Sequence, residues 1–276
     1  MKTYSFNEML KRDSETEKFT NWLNDFEKNK NQINIKRGFY IYGAPGVGKT
    51  FFVRDLLKKL NYDIINYDAG DIRNKNIIEN ITKQNMSSVN VLSMFHKERK
   101  KIIVIMDEID GMNNGDKGGI NTLIKLIRPK KTKKQKLEEF TICPIICIGS
   151  YHVDKKIREL MKVCDTVELK KPTEQQIQNI VTSNLDIHQK YQKNIVKMVN
   201  GDLRKLTNLF TVIDKDANNY VIDNISQEKI LNYICLPKNY SEDTKQITKN
   251  IINNNYSIDK HNTVMNETDR TIVGLL

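Results

Sequence analysis

Three glycines, a lysine and a threonine lie within eight residues, Gly43–Thr50, which read Gly-Ala-Pro-Gly-Val-Gly-Lys-Thr, a complete Walker A loop. Glycines let successive backbone N–H groups turn towards a phosphate, a lysine can reach β- and γ-phosphates, and a threonine hydroxyl can hold Mg²⁺. The alternative, a glycine-rich turn between an ordinary strand and helix, is disfavoured by the in-frame Gly-Lys-Thr. The residues assigned to nucleotide binding are Gly43, Ala44, Pro45, Gly46, Val47, Gly48, Lys49, Thr50 and Phe51.

A second group of reactive residues follows the apolar run Lys101–Met106. Asp107 and Glu108 come directly after this run, and a buried parallel strand would deliver both carboxylates to the carboxyl edge of a sheet. We expect Asp107 to hold the Mg²⁺ shell and Glu108 to polarise the attacking water as general base. A core strand that merely ends in a charged turn is the alternative, which the upstream loop disfavours. Together the two motifs predict ATP or GTP hydrolysis.

The elements that must position these residues alternate between strands and helices. Such alternation predicts an α/β fold, a parallel sheet covered by helices on both faces. The expected strands are Gly38–Tyr42, Asp63–Tyr67, Lys101–Met106, Pro144–Ile148 and Val163–Leu169. The expected helices of this part are 14–29, the stretch after Lys49, 71–83 and 118–127.

The sequence changes character after Lys171-Pro172, where only helical patterns remain. These cover roughly 173–184, 188–198, 202–214 and 226–234 and predict a small all-helical domain. We therefore divide the chain into an ATPase core over 1–171, a helical lid over 172–235, and a polar linker over 236–276. The apolar end of that last part, 271–276, is a candidate subunit-contact element.

Charge and composition favour a soluble intracellular protein with polyanionic partners. The 276 residues carry a net charge of +11 and 38% hydrophobic residues, without a membrane-spanning apolar run. Bulk charge is weak support, because the chain is rich in Lys, Asn and Ile throughout. The clustered charge of residues 128–136, six basic residues in nine, is more informative. Pro129 ends the preceding helix, so we expect a mobile basic loop, either a polyanion contact or a solvated insertion.

The four cysteines show no paired metal-ligand spacing. Three of them lie in or beside apolar runs, which is typical of reduced cysteines in a core.

Several segments together give the chain a family resemblance. They are Ile41–Thr50, Asn66–Arg73, Met106–Met112 with Asp116–Ile120, Pro144–Cys147 with Lys156–Arg158, and Gly201–Arg204 with Asn208. With these segments the chain resembles an AAA+ ATPase, and more narrowly the large subunit of replication factor C, the clamp loader, in a compact or viral-like version. The pairing of Asp-Gly-Met with Gly-Gly-Ile carries the narrower resemblance.

The resemblance implies further site residues. Arg204 would occupy the sensor 2 position, reaching the γ-phosphate and coupling the nucleotide state to the lid. Ser150 stands at the sensor 1 position, where the family usually has Asn, which puts the hydrolysis rate in doubt more than binding. Lys162–Cys164 replaces the Ser-Arg-Cys of the small subunits, so an arginine finger would come from a neighbour, and activity would require an oligomer.

The resemblance also implies partners: small clamp-loader subunits, a sliding clamp, and primer–template DNA bound without sequence preference, in the nucleus or at a cytoplasmic viral replication site. Candidate clamp contacts are Val89, Leu92 and Phe95, whose helical spacing also fits an ordinary core face. Candidate DNA contacts are Lys117, Gly118, Gly119, Lys155, Lys156 and Arg158. The implied cofactors are ATP and Mg²⁺. The alternatives are a paralogous checkpoint or clamp-unloading factor, and an ATP-binding scaffold without hydrolysis.

Overall fold

The computed structural model describes residues 9–71, 73, 78, 100–112, 118–138, 140–150, 154–184 and 189–219. In these ranges the strands are β1 (Gly38–Gly43), β2 (Tyr62–Tyr67), β3 (Lys101–Met106), β4 (Ile145–Gly149) and β5 (Asp165–Leu169). The helices are α1 (Asp13–Asn29), α2 (Lys49–Lys59), α3 (Gly119–Ile127), α4 (Lys133–Lys136), α5 (Lys155–Val163), α6 (Glu174–Asn184), α7 (Gln189–Val199) and α8 (Leu203–Asn219). A 3-10 helix, Ile109–Gly111, follows β3. None of the described helices has the length and apolar character needed to cross a membrane.

The five strands form one parallel sheet in the order β2-β3-β4-β1-β5. Strand β4 therefore lies between β1 and β3, the two strands that end in the reactive segments. Because the strands are parallel, their carboxyl ends share one edge, where Gly43, Asp107 and Ser150 lie at or directly after the ends of β1, β3 and β4. The predicted α/β parallel fold is confirmed.

Each face of the sheet carries its own apolar core. On one face, Phe39 and Ile41 of β1 pack with side chains of α1 and α2, among them Trp22 and Phe52. On the other face, Tyr40 of β1 packs with side chains of α3 and α5. Side chains of a strand point alternately to the two faces, so a strand covered on both sides is apolar at nearly every position. This explains why the β1, β3 and β4 sequences are continuous apolar runs.

Helix α5 was not among the elements expected from the sequence. Only Ile157 and Leu160 of its nine residues are buried, and the remainder is largely charged, so its apolar periodicity is short. The helix expected over 226–234, the polar linker with its candidate subunit-contact end over 236–276, and most of the helix expected over 71–83 lie outside the described residues. Cys143, Cys147 and Cys164 are buried, as predicted for core residues, and burial raises the pKa of the Cys143 thiol to about 11.

The chain divides into two compact units, Met1–Ile180 with Gly201–Leu206 and Val181–Asn200 with Thr207–Leu276. The first unit contains the sheet and also six residues of the helical region, Gly201–Leu206. The second unit contains α7 and the part of α8 from Thr207 onward, and the Thr182 hydroxyl lies 3.5 Å from Gln192 Oε1 within it. The boundaries 1–171, 172–235 and 236–276 remain predictions.

The basic segment, residues 128–138, is folded onto the core, whereas the sequence predicted a mobile loop. Arg128 donates two hydrogen bonds to the Glu138 carboxylate, at 2.7 and 2.8 Å, and Lys130 donates a third at 3.0 Å. Lys130 is only 1% exposed, and its ammonium also donates to the Lys125 carbonyl. The prediction failed because it treated every cation of the segment as solvated, while two of them share one carboxylate.

We expect Glu138→Gln to lower the free energy of unfolding by about 2 kcal/mol at neutral pH, because it leaves the buried Lys130 ammonium without its charged acceptor. Hydrogen bonds from Arg128 and Lys130 lower the pKa of Glu138 from 4.5 to about 2. A lowered folded-state pKa contributes stability above the unfolded pKa that is lost as pH falls through the folded pKa. The difference between wild type and variant in denaturant titrations should therefore shrink between about pH 5 and pH 2.

The control is Glu159→Gln, which removes the same charge from an exposed position on α5. This variant should stay within about 0.5 kcal/mol of wild type over the same pH range. Equal effects of the two substitutions would show that Glu138 does not anchor the segment.

Candidate active site

Glycines shape the loop between β1 and α2 at a point where another segment approaches closely. Gly46 and Gly48 have φ angles of 78° and 83°, in the left-handed region. A Cβ on Gly46 would lie 2.2 Å from Asp202 Oδ1, so any larger residue would collide with that carboxylate. Gly48 is the N-cap of α2, and no side chain caps this helix end. The start of α2 thus faces the loop with its positive dipole end.

Lys49 folds back over this loop. Its ammonium donates hydrogen bonds to the Gly43 carbonyl at 2.9 Å and to the Ala44 carbonyl at 3.1 Å. These bonds hold the positive charge at the mouth of the loop, where a phosphate would meet both the ammonium and the backbone N–H groups.

The charges around Lys49 show which side chains the fold brings together. Burial lowers the pKa of Lys49, the positive charge of Arg204 lowers it further, and the carboxylates of Asp110, Asp107 and Glu108 oppose the shift. These five side chains come from three separate stretches of sequence, yet the other four all act on the charge of Lys49. A site that combines two cations with three carboxylates can bind a polyanion together with a metal ion.

A direct hydrogen bond joins the two predicted motifs. The Thr50 hydroxyl donates to Asp107 Oδ2 at 2.7 Å. Asp107 is 9% exposed, its main-chain N–H donates to the Tyr67 carbonyl at 2.8 Å, and its Oδ1 accepts from the Glu108 N–H at 2.9 Å. The carboxylate is thus fixed in direction, with one oxygen on the turn and the other on Thr50.

Glu108 occupies an unusual backbone conformation, with φ 48° and ψ 50°. A non-glycine residue in the left-handed region costs on the order of 1 kcal/mol, and such residues cluster at functional sites. Arg73 holds the turn in place, because its guanidinium donates to the carbonyls of Asp107 and, at 3.4 Å, of Glu108. Because Arg73 is only 2% exposed, it serves to hold this turn and is not available to an external partner.

Ser150 follows β4 and contacts Asp110, which lies in the 3-10 helix after β3. Its N–H and hydroxyl both donate to Asp110 Oδ2, at 2.7 and 2.6 Å. Tyr40 contributes a longer bond, from its hydroxyl to the Ser150 carbonyl at 3.4 Å, and burial raises the pKa of this phenol. The Ser150 hydroxyl proton is therefore directed at a carboxylate.

The segment Gly201–Leu206, which carries Arg204, is bonded to the Gly43–Thr50 loop. The Leu203 N–H donates to the Gly46 carbonyl at 2.8 Å, and Asp202 Oδ1 accepts from the Arg204 N–H at 2.9 Å. Arg204 itself is exposed. The first turn of α8 is thereby fixed beside the glycine loop.

Arg12 was not identified from the sequence, although its buried side chain holds the Gly43–Thr50 loop. Arg12 is 6% exposed, and its guanidinium donates to the Val47 carbonyl at 2.7 Å and lies 5.9 Å from the Phe52 ring centre. Burial lowers its pKa to about 10. A lone arginine before a helix has no periodicity or motif that would have identified it. Asp202 and Arg73 were named only as members of the resembling segments, and neither was assigned a role from the sequence.

The remaining predicted residues are placed as follows. Phe51 is 46% exposed, and Lys155, Lys156 and Arg158 are exposed on α5. Gly118 is exposed, whereas Gly119 is buried and a Cβ there would lie 2.3 Å from the Arg73 carbonyl oxygen. Lys117, Val89, Leu92 and Phe95 lie outside the described residues. The structure thus says nothing about the clamp-contact prediction.

The residues present fit a nucleoside triphosphate with Mg²⁺. The donor set comprises the Lys49 ammonium, backbone amides shaped by left-handed glycines, and a threonine hydroxyl bonded to a buried aspartate. Phosphate oxygens match the first two groups, and a hard divalent cation matches the Thr50 and Asp107 oxygens.

Comparison with protein families agrees with this geometry. Residues 39–172 match the family described as ATPase family associated with various cellular activities (AAA). The chain carries an AAA domain and resembles replication factor C large subunits. A RuvB mutant from Thermotoga maritima shares the fold, with a TM-score of 0.50 and 16% identity over 86% of this chain and 77% of that one.

Relatives by sequence include subunits of replication factor C. Replication factor C subunit 1 of Saccharomyces cerevisiae is 26% identical over 232 residues, which cover 76% of this chain and 26% of that protein. The replication factor C large subunit of Methanococcus aeolicus is 26% identical over 203 residues, which cover 70% of this chain and 37% of that protein. The chain thus corresponds to only a part, about a quarter to two-fifths, of these relatives.

We expect Gly46→Ala to weaken ATP binding at least tenfold. Alanine is strained at a φ of 78°, and its methyl group would displace Asp202 and the turn that carries Arg204. Titration with a fluorescent ATP analogue measures the affinity, and denaturant unfolding should show a loss of about 1–3 kcal/mol.

Gly70→Ala is the matched control, since its Cβ would meet only Asp68 Oδ1 at an ordinary 3.5 Å. Wild-type nucleotide affinity in Gly46→Ala would contradict the assignment of the loop.

Proposed function

We propose that this chain is the ATPase subunit of a sliding-clamp loader, which uses ATP binding and hydrolysis to open a ring clamp and place it on primer–template DNA during replication. The observation that carries the ATPase part is the 2.7 Å bond from Thr50 to Asp107, which joins the glycine loop to the β3 edge. The clamp-loader part is supported by relatives named replication factor C subunit 1 or replication factor C large subunit.

The proposed roles follow from the geometry around the loop. Lys49 would bind the β- and γ-phosphates, Thr50 and Asp107 would hold Mg²⁺, and Glu108 would accept a proton from the attacking water. Arg204 would contact the γ-phosphate from the first turn of α8. The Mg²⁺ held by Thr50 and Asp107 would supply positive charge that neutralises the phosphates. The left-handed turn at Glu108, held by Arg73, fixes the direction of the base.

A second candidate function is an ATP-binding scaffold that does not turn over. The Ser150 hydroxyl favours it, because its proton is donated to Asp110 at 2.6 Å and so is not directed at a phosphate. A paralogous checkpoint or unloading factor would use the same site with another client. The three candidates predict the same nucleotide affinity and differ in turnover and in partners.

The proposed partners are the small clamp-loader subunits, a sliding clamp and sequence-independent DNA. Since Lys162 is a poor replacement for an arginine finger, a neighbour would complete the site and turnover would require the assembly. Exposed Lys155, Lys156 and Arg158 would contact the DNA backbone together with Lys117, Gly118 and Gly119, and the clamp would contact Val89, Leu92 and Phe95.

We expect Glu108→Gln to reduce DNA-stimulated phosphate release by the assembled complex at least a hundredfold while leaving ATP affinity within about twofold, because the amide accepts no proton. The measurement is a steady-state phosphate assay paired with nucleotide titration. Glu17→Gln, an exposed change of equal charge on α1, should behave like wild type.

Unchanged phosphate release in the Glu108 variant would reject its catalytic role. A wild-type complex that binds ATP without turnover would favour the scaffold.

The composition of the native complex tests the clamp-loader proposal. Mass spectrometry of the complex isolated through this chain should find small AAA+ subunits, and a ring clamp when ATP is present. Another ring or none, with the same ATPase subunits, would favour the paralogous factor. A chain that copurifies with no AAA+ subunit would overturn the proposal.

A further inference from the structure

The basic segment, residues 128–138, lies at the opposite sheet edge from the glycine loop. It connects the end of α3 to the amino-terminal end of β4, whereas the loop lies at the carboxyl ends of the strands. The proposed ATPase chemistry uses none of its residues. Its charges therefore need a separate explanation.

The supports of the basic segment are internal to the protein. Besides the bonds of Arg128 and Lys130 to Glu138, the Lys130 N–H donates to the Ile33 carbonyl at 3.0 Å. Arg37, which is 0% exposed, contacts the residues that follow the segment: its guanidinium carbon lies 4.2 Å from the Phe140 ring centre. That guanidinium also donates to the carbonyls of Lys30, Gln32 and Thr141. Both ends of the segment are thus attached to the core.

A capping box orders the outer part of the segment. The Thr132 hydroxyl accepts from the Gln135 N–H, while the Gln135 side chain accepts from the Thr132 N–H, and the helical turn Lys133–Lys136 follows. Lys131, Lys133, Lys134 and Lys136 are exposed on and beside this turn. At about 1.5 Å of rise per residue, the four ammonium groups project from one short stretch of backbone.

The carboxylate of the segment is already in use. Glu138 accepts from Arg128 and Lys130, and its pKa is lowered by these hydrogen bonds. Within the described ranges, none of the four exposed lysines forms an ion pair. Their positive charge is therefore available to an external partner, on a backbone that is ordered before binding.

We propose that the four exposed lysines of the basic segment form a binding surface for the phosphate backbone of duplex DNA. Lysines are point charges that contact phosphates without reading bases, and a rigid platform avoids the entropic cost of ordering a loop. The choice of DNA as the polyanion rests on the proposed function; the surface itself does not. Since the segment lies at the edge away from the glycine loop, DNA bound there would leave the nucleotide site accessible.

The test compares two triple variants of the full chain. Lys133→Gln, Lys134→Gln and Lys136→Gln are combined in one variant, and Lys18→Gln, Lys58→Gln and Lys197→Gln, exposed lysines of three other helices, in the control. Fluorescence anisotropy with a labelled duplex is measured at several salt concentrations between 50 and 200 mM. Thermal unfolding checks that both variants fold.

The segment variant should bind duplex DNA about tenfold more weakly, and the slope of log affinity against log salt should fall by about 2–3, the number of lost phosphate contacts. The control should change either quantity only slightly, and ATP affinity should be unchanged in both. Leu137→Ser, at a side chain that is 89% exposed within the same segment, should also leave DNA affinity unchanged.

Three results would overturn the inference. The first is equal weakening in both triple variants, which would assign binding to bulk charge. The second is a loss in Leu137→Ser as large as in the lysine variant. The third is a wild-type chain that binds polyglutamate through these lysines and does not bind duplex DNA, which would indicate an acidic protein partner.

The inference and the proposed function fail separately. A complex with a clamp and small subunits, combined with unaltered DNA binding in the segment variant, removes only the inference. A complex without them, combined with the expected loss of DNA affinity, removes only the clamp-loader proposal.

Discussion

The hydrogen bond from Thr50 to Asp107 depends on the order of the sheet. The two residues belong to loops that follow β1 and β3, and these strands are not neighbours, because β4 lies between them. The width of β4 therefore separates the strands that carry the glycine loop and the carboxylate. The Thr50 hydroxyl and Asp107 Oδ2 meet across this width at 2.7 Å. A metal ion shared by a hydroxyl and a carboxylate needs this proximity. If β1 and β3 ran antiparallel the two motifs would lie at different edges, and a parallel sheet with more strands between β1 and β3 would keep them at one edge but too far apart to meet.

Hydrogen bonds to main-chain atoms fix the positions of the reactive groups relative to one another. Arg12 bonds to the Val47 carbonyl, Arg73 to the carbonyls of the Asp107–Glu108 turn, and the Leu203 N–H to Gly46. Each contact holds main chain, so the direction of a reactive side chain follows from a fixed turn. The collision that Gly46 avoids with Asp202 shows how tight this assembly is.

Sequence patterns gave the strands, the glycine loop and the β3 acids because these signals are local. An apolar run ending in Asp107 and Glu108 predicts both a buried strand and the acids at its end from about ten consecutive residues. Helix α5, with two buried positions, has too little periodicity to detect. The anchor of the basic segment depends on hydrogen bonds from Arg128 and Lys130 to Glu138, which lies up to ten residues away in the sequence. The local sequence of a lysine-rich stretch does not indicate which of its cations is buried and which is solvated.

Buried cations serve the same purpose at both edges of the sheet. Arg12 and Arg73 hold main chain at the carboxyl edge, and Arg37 and Lys130 do so near the amino end of β4. All four are at most 6% exposed, and each donates to at least one main-chain carbonyl. These charges count towards the net +11 of the chain but cannot reach a partner. The charge relevant to a polyanion is the exposed and unpaired part, and the basic segment concentrates it because its interior cations have already taken the available acceptors.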